Sequence, residues 1–561
     1  MMDFLIQNIA PIIFLSMVVM LLLGYPVAFA LAATGVVFGL IGIELGLLQP
    51  SLFQALPDRI WGVMSNDTLL AIPFFTFMGL ILERSGMAED LLETIGQLFG
   101  PVRGGLAFAV IFVGAMLAAT TGVVAASVIS MGLISLPIML RYGYDKRLAS
   151  GVIAASGTLA QIIPPSLVLI IMADQLGRSV GDMYKGAFIP GFVLTGLYVG
   201  YIILVTMVRP AWAPALPAEA RTIREPDGKS GLRSLAVLVV LAVAAAVAFE
   251  HWYYANKPDA PTDEKIVMVM ASGVIFAFLL ALINKLLKLG LLSRMAEQVT
   301  FVLIPPLLLI FLVLGTIFLG IATPTEGGAM GATGALIMAV MRKRLDSKLL
   351  KQAMESTAKL TAFVVFILVG ARVFSLTFYG VDGHKWVEHL LLDLPGGQVG
   401  FLIVVNILVF LLAFFLDFFE LSFIVVPLLG PVAEKLGIDL IWFGVLLGVN
   451  MQTSFMHPPF GFALFYLRSV APASVRTTDI YWGAVPFVVI QVIMVVLVIV
   501  FPGMVTMSLD KKVDVDVDKV QIDVPLEQMD APELTPPTAD ESAPEIPPPD
   551  IPPPEADSAN K

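Results

Sequence analysis

Apolar stretches of about 20 residues, the length with which a helix crosses the hydrocarbon core of a bilayer, recur from Phe4 to Phe501. No other feature constrains the fold as tightly. Backbone in hydrocarbon has no water to bond, so only helices and closed barrels span it, and long continuous apolar runs select helices. With 58% of 561 residues hydrophobic and 14% charged, no room remains for a soluble domain of about 100 residues. The expected fold is an all-α polytopic membrane protein. The chain has no Cys, which excludes disulfides, thiol catalysis and Cys-ligated metal centres. Four histidines, His251, His384, His389 and His457, leave little for a metal site, and no cofactor is expected. Basic residues form only short clusters between spans, so no nucleic-acid partner is expected.

The spacing predicts spans at roughly 8–24, 25–47, 69–83, 150–173, 186–208, 234–250, 266–284, 299–320, 322–341, 357–379, 440–457 and 481–502. Re-entrant pairs are predicted within 104–140 and 399–437. Short loops rich in Lys and Arg mark the cytoplasmic side. Those loops are 141–149, 209–233, 285–297 and 342–359. Alternation then holds only if each re-entrant pair enters and leaves on one side, which puts both termini outside. The opening MMDF lacks the basic start of a cleaved signal peptide. Residues 510–561 carry 14 Asp/Glu, four Lys and eleven Pro, so nearly all of the net charge of −11 sits there. Such a segment buries too little apolar surface to offset its ordering entropy, and a disordered tail is expected over 506–561.

An internal repeat divides the rest. DMYKGAFIP (182–190) and DIYWGAVP (479–486) share Asp, Tyr, Gly, Ala and Pro, and IIPPS (162–166) and MHPPF (456–460) stand upstream of them. Pro137 and Pro427 lie near the ends of the two proposed hairpins. GYPVAFALAATG (24–35) matches ATPTEGGAMGATG (322–334) more weakly. The expected organisation is a first half over 1–208, a loop and two inserted spans over 209–298, and a second half over 299–505. Five crossings per half make the halves inverted, and inverted repeats with broken helices are the architecture of secondary transporters.

Each Pro removes a backbone N–H and clashes with the carbonyl four residues back, so the helices should unwind at Pro164–Pro165 and Pro458–Pro459. Carbonyls freed there are oxygen ligands for a hard cation such as Na⁺; the plainer alternative is a proline kink. The first hairpin tip should lie near AATTGVVAAS (118–127), with hydroxyls on Thr120 and Thr121 and a turn at Gly122. The second should lie in FFLDFFELSF (414–423), where Asp417 and Glu420 are costly in hydrocarbon unless paired or ion-bound. A polar loop surfacing outside the membrane is the alternative. Glu326 is a third such carboxylate. Arg372 is the obvious intramembrane cation, either paired with one of these acids or snorkelling to the interface.

These strings, taken in order, resemble the large membrane subunit of tripartite ATP-independent periplasmic (TRAP) transporters, the DctM-type permease. The resemblance covers nearly all of 1–505 and rests on PFFTFMGLILERSGMAEDLL (73–92), GTLAQIIPPS (157–166), DMYKGAFIPG (182–191), GIATPTEGGA (320–329), FFLDFFELSFIVVPL (414–428) and NMQTSFMHPPFG (450–461). It implies an elevator-type transporter of a bacterial inner membrane, in which a scaffold holds a mobile domain with two hairpins and two broken helices. It also implies uptake of an organic anion, such as a C4-dicarboxylate, driven by Na⁺ as coupling ion. Two partners follow: a periplasmic substrate-binding protein and a separate small membrane subunit of about four spans. Carried over residue by residue, one sodium site would use Thr121, Ala160, Ile163 and Pro165. The other would use Asp417, Ser454 and Pro459. Substrate would lie between them, with Thr120, Gly122, Gln161, Glu420, Gln452, His457 and Arg372 as candidates.

The first tip departs from the family's Ser-rich pattern, with Val123 and Val124 where hydroxyls are common. In the second break His457 replaces a hydroxyl donor, either to contact substrate or to fill space. A binding-protein-independent sodium- or proton-coupled symporter or antiporter of related fold is the alternative function. An intramembrane enzyme is the rival from another class, but HExxH and GxGD motifs are absent, and no enzymatic activity is expected.

Overall fold

Helices, and no strand, make up the described residues. The computed structural model describes residues 2–223, 225, 231–258, 262–459 and 461–509, so the acidic tail beyond Leu509 lies outside the described residues. The chain opens with α1 (Met2–Gln7), α2 (Ile9–Leu22) and α3 (Val27–Glu44), followed by the short α4 (Leu56–Met64), α5 (Ala71–Arg84) and α6 (Met87–Phe99). A helical hairpin comes next, α7 (Gly105–Thr121) and α8 (Val124–Arg141), turning at Gly122–Val123. The span expected at 150–173 is two helices, α9 (Lys146–Thr158) and α10 (Leu167–Leu176), and α11 (Val180–Val208) completes the first half. Asp145 caps α9 through the Arg147 and Leu148 amides, and Ser166 caps α10 through Val168.

The inserted spans are α12 (Leu232–Asn256) and α13 (Thr262–Leu287). The second half runs through α14 (Arg294–Ile310), a π-helical stretch at Phe311–Gly315 just after Pro305 and Pro306, α15 (Thr316–Phe318), α16 (Pro324–Met341) and α17 (Ser347–Gly380). After α18 (Gly383–Leu392), a second hairpin is made by α19 (Gly397–Leu412) against α20 (Phe418–Ile424) and α21 (Val426–Lys435), closed at its base by Gln398 donating to the Leu436 carbonyl. Its neighbour is again a broken helix, α22 (Leu440–Met451) and α23 (Phe462–Val470), capped by Asp439 as α9 is by Asp145. Last come α24 (Thr477–Val500) and α25 (Gly503–Thr506). Among the described residues, eight helices are individually long and apolar enough to cross a bilayer. The broken helices fall short of that length because each is interrupted.

Helices before residue 209 pack against helices after residue 298 in a repeated pattern. The longest contacts are α3 on α17 and α5 on α16; α9 lies along α24, and α11 along α22. The helix after each break packs on the other half's hairpin, α10 on α20 and α21, and α23 on α8. Glycines permit the closest approaches. A Cβ on Gly35 would lie 2.7 Å from the Val373 carbonyl, and one on Gly151 would collide with the Gly483 carbonyl. The inserted spans stand at the edge. Gly273 of α13 meets Ala242 and Ala246 of α12, and Phe278 meets Phe301 of α14 edge-on at 5.8 Å. Few of their residues are buried.

Short helices α1, α4, α6, α18, α23 and α25 fall outside the expected spans. The clearest is α6, where Met87, Ala88, Leu91, Leu92 and Ile95 form a buried stripe at helical spacing. At its start, Asp90 accepts from Arg342 at 2.7 Å and from Arg344 at 3.1 Å, tying it to the loop between α16 and α17.

Candidate functional site

At the first break, α9 tightens into a 3₁₀ turn at Leu159–Gln161 before the prolines. The Ile162 and Ile163 amides both return to the Leu159 carbonyl, and Ser166 Oγ donates to the Gln161 carbonyl at 2.6 Å. The carbonyls of Ala160, Ile163 and Pro165 accept no hydrogen bond among the described residues. All residues of this break are buried. The hairpin tip lies against it. Gly122 ends α7 with φ +59°, a left-handed conformation natural to glycine, and a Cβ there would stand 3.3 Å from the Pro165 carbonyl oxygen. The structure therefore brings Gly122, Ala160, Gln161, Ile163 and Pro165 together. Thr120 and Thr121 form the last turn of α7, but their side chains lie outside the described residues.

The second break repeats the design with different chemistry. A 3₁₀ turn at Gln452–Phe455 follows α22, and Pro458–Pro459 precede α23. Both Pro–Pro peptide bonds are cis. Ser454 Oγ is buried with no partner among the described residues. The Pro459 carbonyl, expected to be free, accepts from Tyr481 Oη at 3.2 Å, because α24 passes beside this break with a tyrosine at that level. Pro459 itself is exposed, unlike its counterpart Pro165.

His457 is 1% exposed and joins tip to break. Its ring stacks on Phe414 at 4.2 Å and meets Phe410 edge-on at 4.3 Å. The Ala413 carbonyl is nearby, but neither ring nitrogen completes a hydrogen bond among the described residues.

Asp417 and Glu420 occupy the second tip as a capping box. Asp417 Oδ1 accepts from the Glu420 amide and Glu420 Oε2 accepts from the Asp417 amide, each at 2.9 Å. Two carboxylates in an apolar run are thus accounted for locally, by the unsatisfied amides of a helix start. Glu326 does the same with Thr323 at the start of α16, where it is exposed. The ion pair considered for Arg372 is absent. Arg372 is half-buried on α17 and pairs with no acid among the described residues. A crevice of about 330 Å³ opens beside the second tip, lined by Tyr25, Phe29, Phe363, Phe366, Phe415 and Glu420.

Between the breaks lies a polar cluster that sequence reasoning found only through Gln452. Gln452 Nε2 donates to Thr158 Oγ1 at 3.1 Å, and Gln491 Nε2 donates to Thr158 Oγ1 at 3.3 Å and to Tyr198 Oη at 2.9 Å. A signal existed, since Gln491 is the one polar residue in FVVIQVIMVVLVIV (487–500), and polar groups in spans rarely lack a function.

The family model described as "Tripartite ATP-independent periplasmic transporter, DctM component" matches residues 14–504. The chain belongs to this family. A C4-dicarboxylate TRAP transporter large permease protein of Pseudomonas aeruginosa is 26% identical over 82% of this chain and 90% of its own length. The 2,3-diketo-L-gulonate TRAP transporter large permease protein of Escherichia coli is 23% identical over 87% of this chain and 96% of its own. The sialic acid TRAP transporter permease protein of Haemophilus influenzae is 22% identical over 87% of this chain and 66% of its own. The chain is thus a multi-pass membrane protein of the TRAP large-permease type.

Proposed function

We propose that this chain is the permease subunit of a sodium-driven TRAP transporter that takes up an organic anion by an elevator motion. The observation that carries the reading is the repeated meeting of hairpin tip and helix break. Gly122 lies against Pro165 with three free carbonyls beside it, and His457 is held between Phe410 and Phe414 with Ser454 unpartnered nearby. Irregular backbone at membrane depth is tolerated where it is buried in protein or lines a cavity, and free carbonyl oxygens suit a hard monovalent cation. In this reading one sodium ion is held by the carbonyls of Ala160, Ile163 and Pro165 with Thr121. The other is held near Asp417 with Ser454 and Pro459. The chain then comprises two inverted halves, 1–208 and 299–505, and the crossed packing of their helices is what such a relation would produce.

The relatives' names share an organic anion and no narrower class. A C4-dicarboxylate, sialic acid and diketogulonate are carboxylates, whereas isethionate is a sulfonate. The anion would bind between the tips, near Gly122, Gln161, Gln452 and His457. A periplasmic binding protein would deliver it, and a separate small membrane subunit would complete the complex.

The test needs no known substrate. The purified chain is melted in rising NaCl, with choline and potassium chloride as ionic-strength controls. A ligand that binds only the folded state stabilises it by about 2.7 kcal/mol at one hundred times its Kd. A saturable, sodium-specific rise in melting temperature is expected. Equal curves in all three salts would remove sodium from the mechanism.

A further inference from the structure

Thr158 ends α9 immediately before the first break, and Gln452 begins the 3₁₀ turn that leads into the second. They are 294 residues apart in sequence and directly hydrogen-bonded. The orientation of that bond is determined by chemistry. Thr158 has one hydroxyl hydrogen, and it is committed to the Ala155 carbonyl at 2.8 Å. The oxygen can therefore only accept from other groups, so both amides must present their NH₂ ends to it. Gln491 on α24 supplies the second donor and extends the cluster to Tyr198 on α11. Thr158, Gln452, Gln491 and Tyr198 are all 0% exposed.

Satisfaction is incomplete. The Oε1 atoms of Gln452 and Gln491 have no partner among the described residues. Buried carbonyl oxygens without partners are costly, and a pair of Leu or Met side chains would fill the same space without that cost. Packing alone therefore does not account for the two glutamines. Their positions do: one hydroxyl oxygen carries a hydrogen-bonded fork that spans both breaks at their entrances.

We propose that Thr158, Gln452 and Gln491 form a bridge that couples the two helix breaks, so that an ion bound at one raises the affinity of the other for its ion. The proposal rests on the sodium reading above. A cation at the first break draws carbonyls toward itself and orders the turn that starts at Thr158. The fork transmits that ordering to Gln452 and the turn it begins. Coupling of this kind is reciprocal, so the second ion strengthens the first by the same factor. In this proposal the making or breaking of the fork supplies the two states that such coupling requires.

The test is equilibrium binding of radiolabelled sodium to the purified full chain, at constant ionic strength set with choline chloride. Three proteins are compared: wild type, Thr158→Val, which keeps the shape but removes the acceptor, and Thr158→Ser, which restores it. Wild type should bind with a Hill coefficient above one. Thr158→Val should bind with a coefficient of one and a midpoint raised several-fold, and Thr158→Ser should regain steepness. A purely structural role would not separate Ser from Val in steepness. If Thr158→Val does not fold, Gln491→Met removes one arm of the fork at similar volume, and its coefficient should fall toward one. Wild-type steepness and midpoint in the folded variants, or a coefficient of one in wild type, overturn the bridge while leaving sodium binding intact. No specific sodium binding in wild type would sink the sodium reading, and the bridge with it.

Discussion

Asp417 shows how one side chain can hold two roles that a substitution can separate. Its carboxylate caps α20 through the Glu420 amide, and in the proposed function its charge serves a cation. Asparagine caps nearly as well as aspartate, whereas alanine loses about 1 kcal/mol at such a position. Asp417→Asn should therefore melt close to wild type in choline chloride yet show a weaker sodium-specific rise, while Asp417→Ala should also lose stability in choline. If Asp417→Asn keeps the full sodium response, the charge has no part in ion binding. Gly122 offers a second test at this scale. A Cβ in its left-handed conformation costs about 1–2 kcal/mol, and it would press on the Pro165 carbonyl. Gly122→Ala should lower the melting temperature and raise the sodium midpoint together, because the tip and the break are one contact. An unchanged sodium midpoint would show that tip and break act apart.

At the scale of elements, the crossing of α9 and α24 holds the first broken helix in place. A Cβ on Gly151 would meet the Gly483 carbonyl, and one on Gly483 would meet the Arg147 carbonyl. Backbone cannot rotate away as a side chain can. Gly151→Ala should cost about 1–3 kcal/mol or more, as overpacking of a tight interior does, and should show as a lower melting temperature and poor monodispersity in detergent. Gly196, on the neighbouring α11, has nothing within 4 Å of a Cβ. Gly196→Ala should be neutral or stabilising by up to about 1 kcal/mol, from helix propensity alone. Equal losses in both variants would mean that glycine acts at this crossing through flexibility rather than close approach.

The whole molecule is assembled by exchange: in pair after pair a helix of the first half packs on a helix of the second. Neither half therefore offers a complete hydrophobic core by itself, and ordering at one break bears on the other through shared neighbours. Residues 1–509 form one compact unit. A chain truncated after Leu509 should keep the melting temperature and the sodium response of the full chain. Loss of either would make the acidic segment part of the working permease.

Read alone, the sequence established a helical membrane protein in which two hairpins accompany two proline-broken helices, though helix ends differ from the expected spans, α17 beginning at Ser347 rather than near 357. Those properties are local. Span length is set by bilayer thickness, and a Pro pair disturbs a helix locally, though its surroundings decide the outcome: the helices break at Pro164–Pro165 and Pro458–Pro459, whereas α14 runs through Pro305–Pro306 into a π-helical stretch. It also placed Asp417 and Glu420 at a hairpin tip, though their spacing of three already matched a capping box, and it missed α6 because long apolar runs outweighed a short amphipathic one. Helix crossing is what leaves Arg372 without an acidic partner among the described residues, brings Tyr481 to the Pro459 carbonyl, and gathers Thr158, Gln452, Gln491 and Tyr198 into one buried cluster. Those outcomes depend on which helices cross and at what height. A hydrogen bond between residues 294 positions apart leaves no periodicity in the chain, because its geometry belongs to the crossed packing of the two halves.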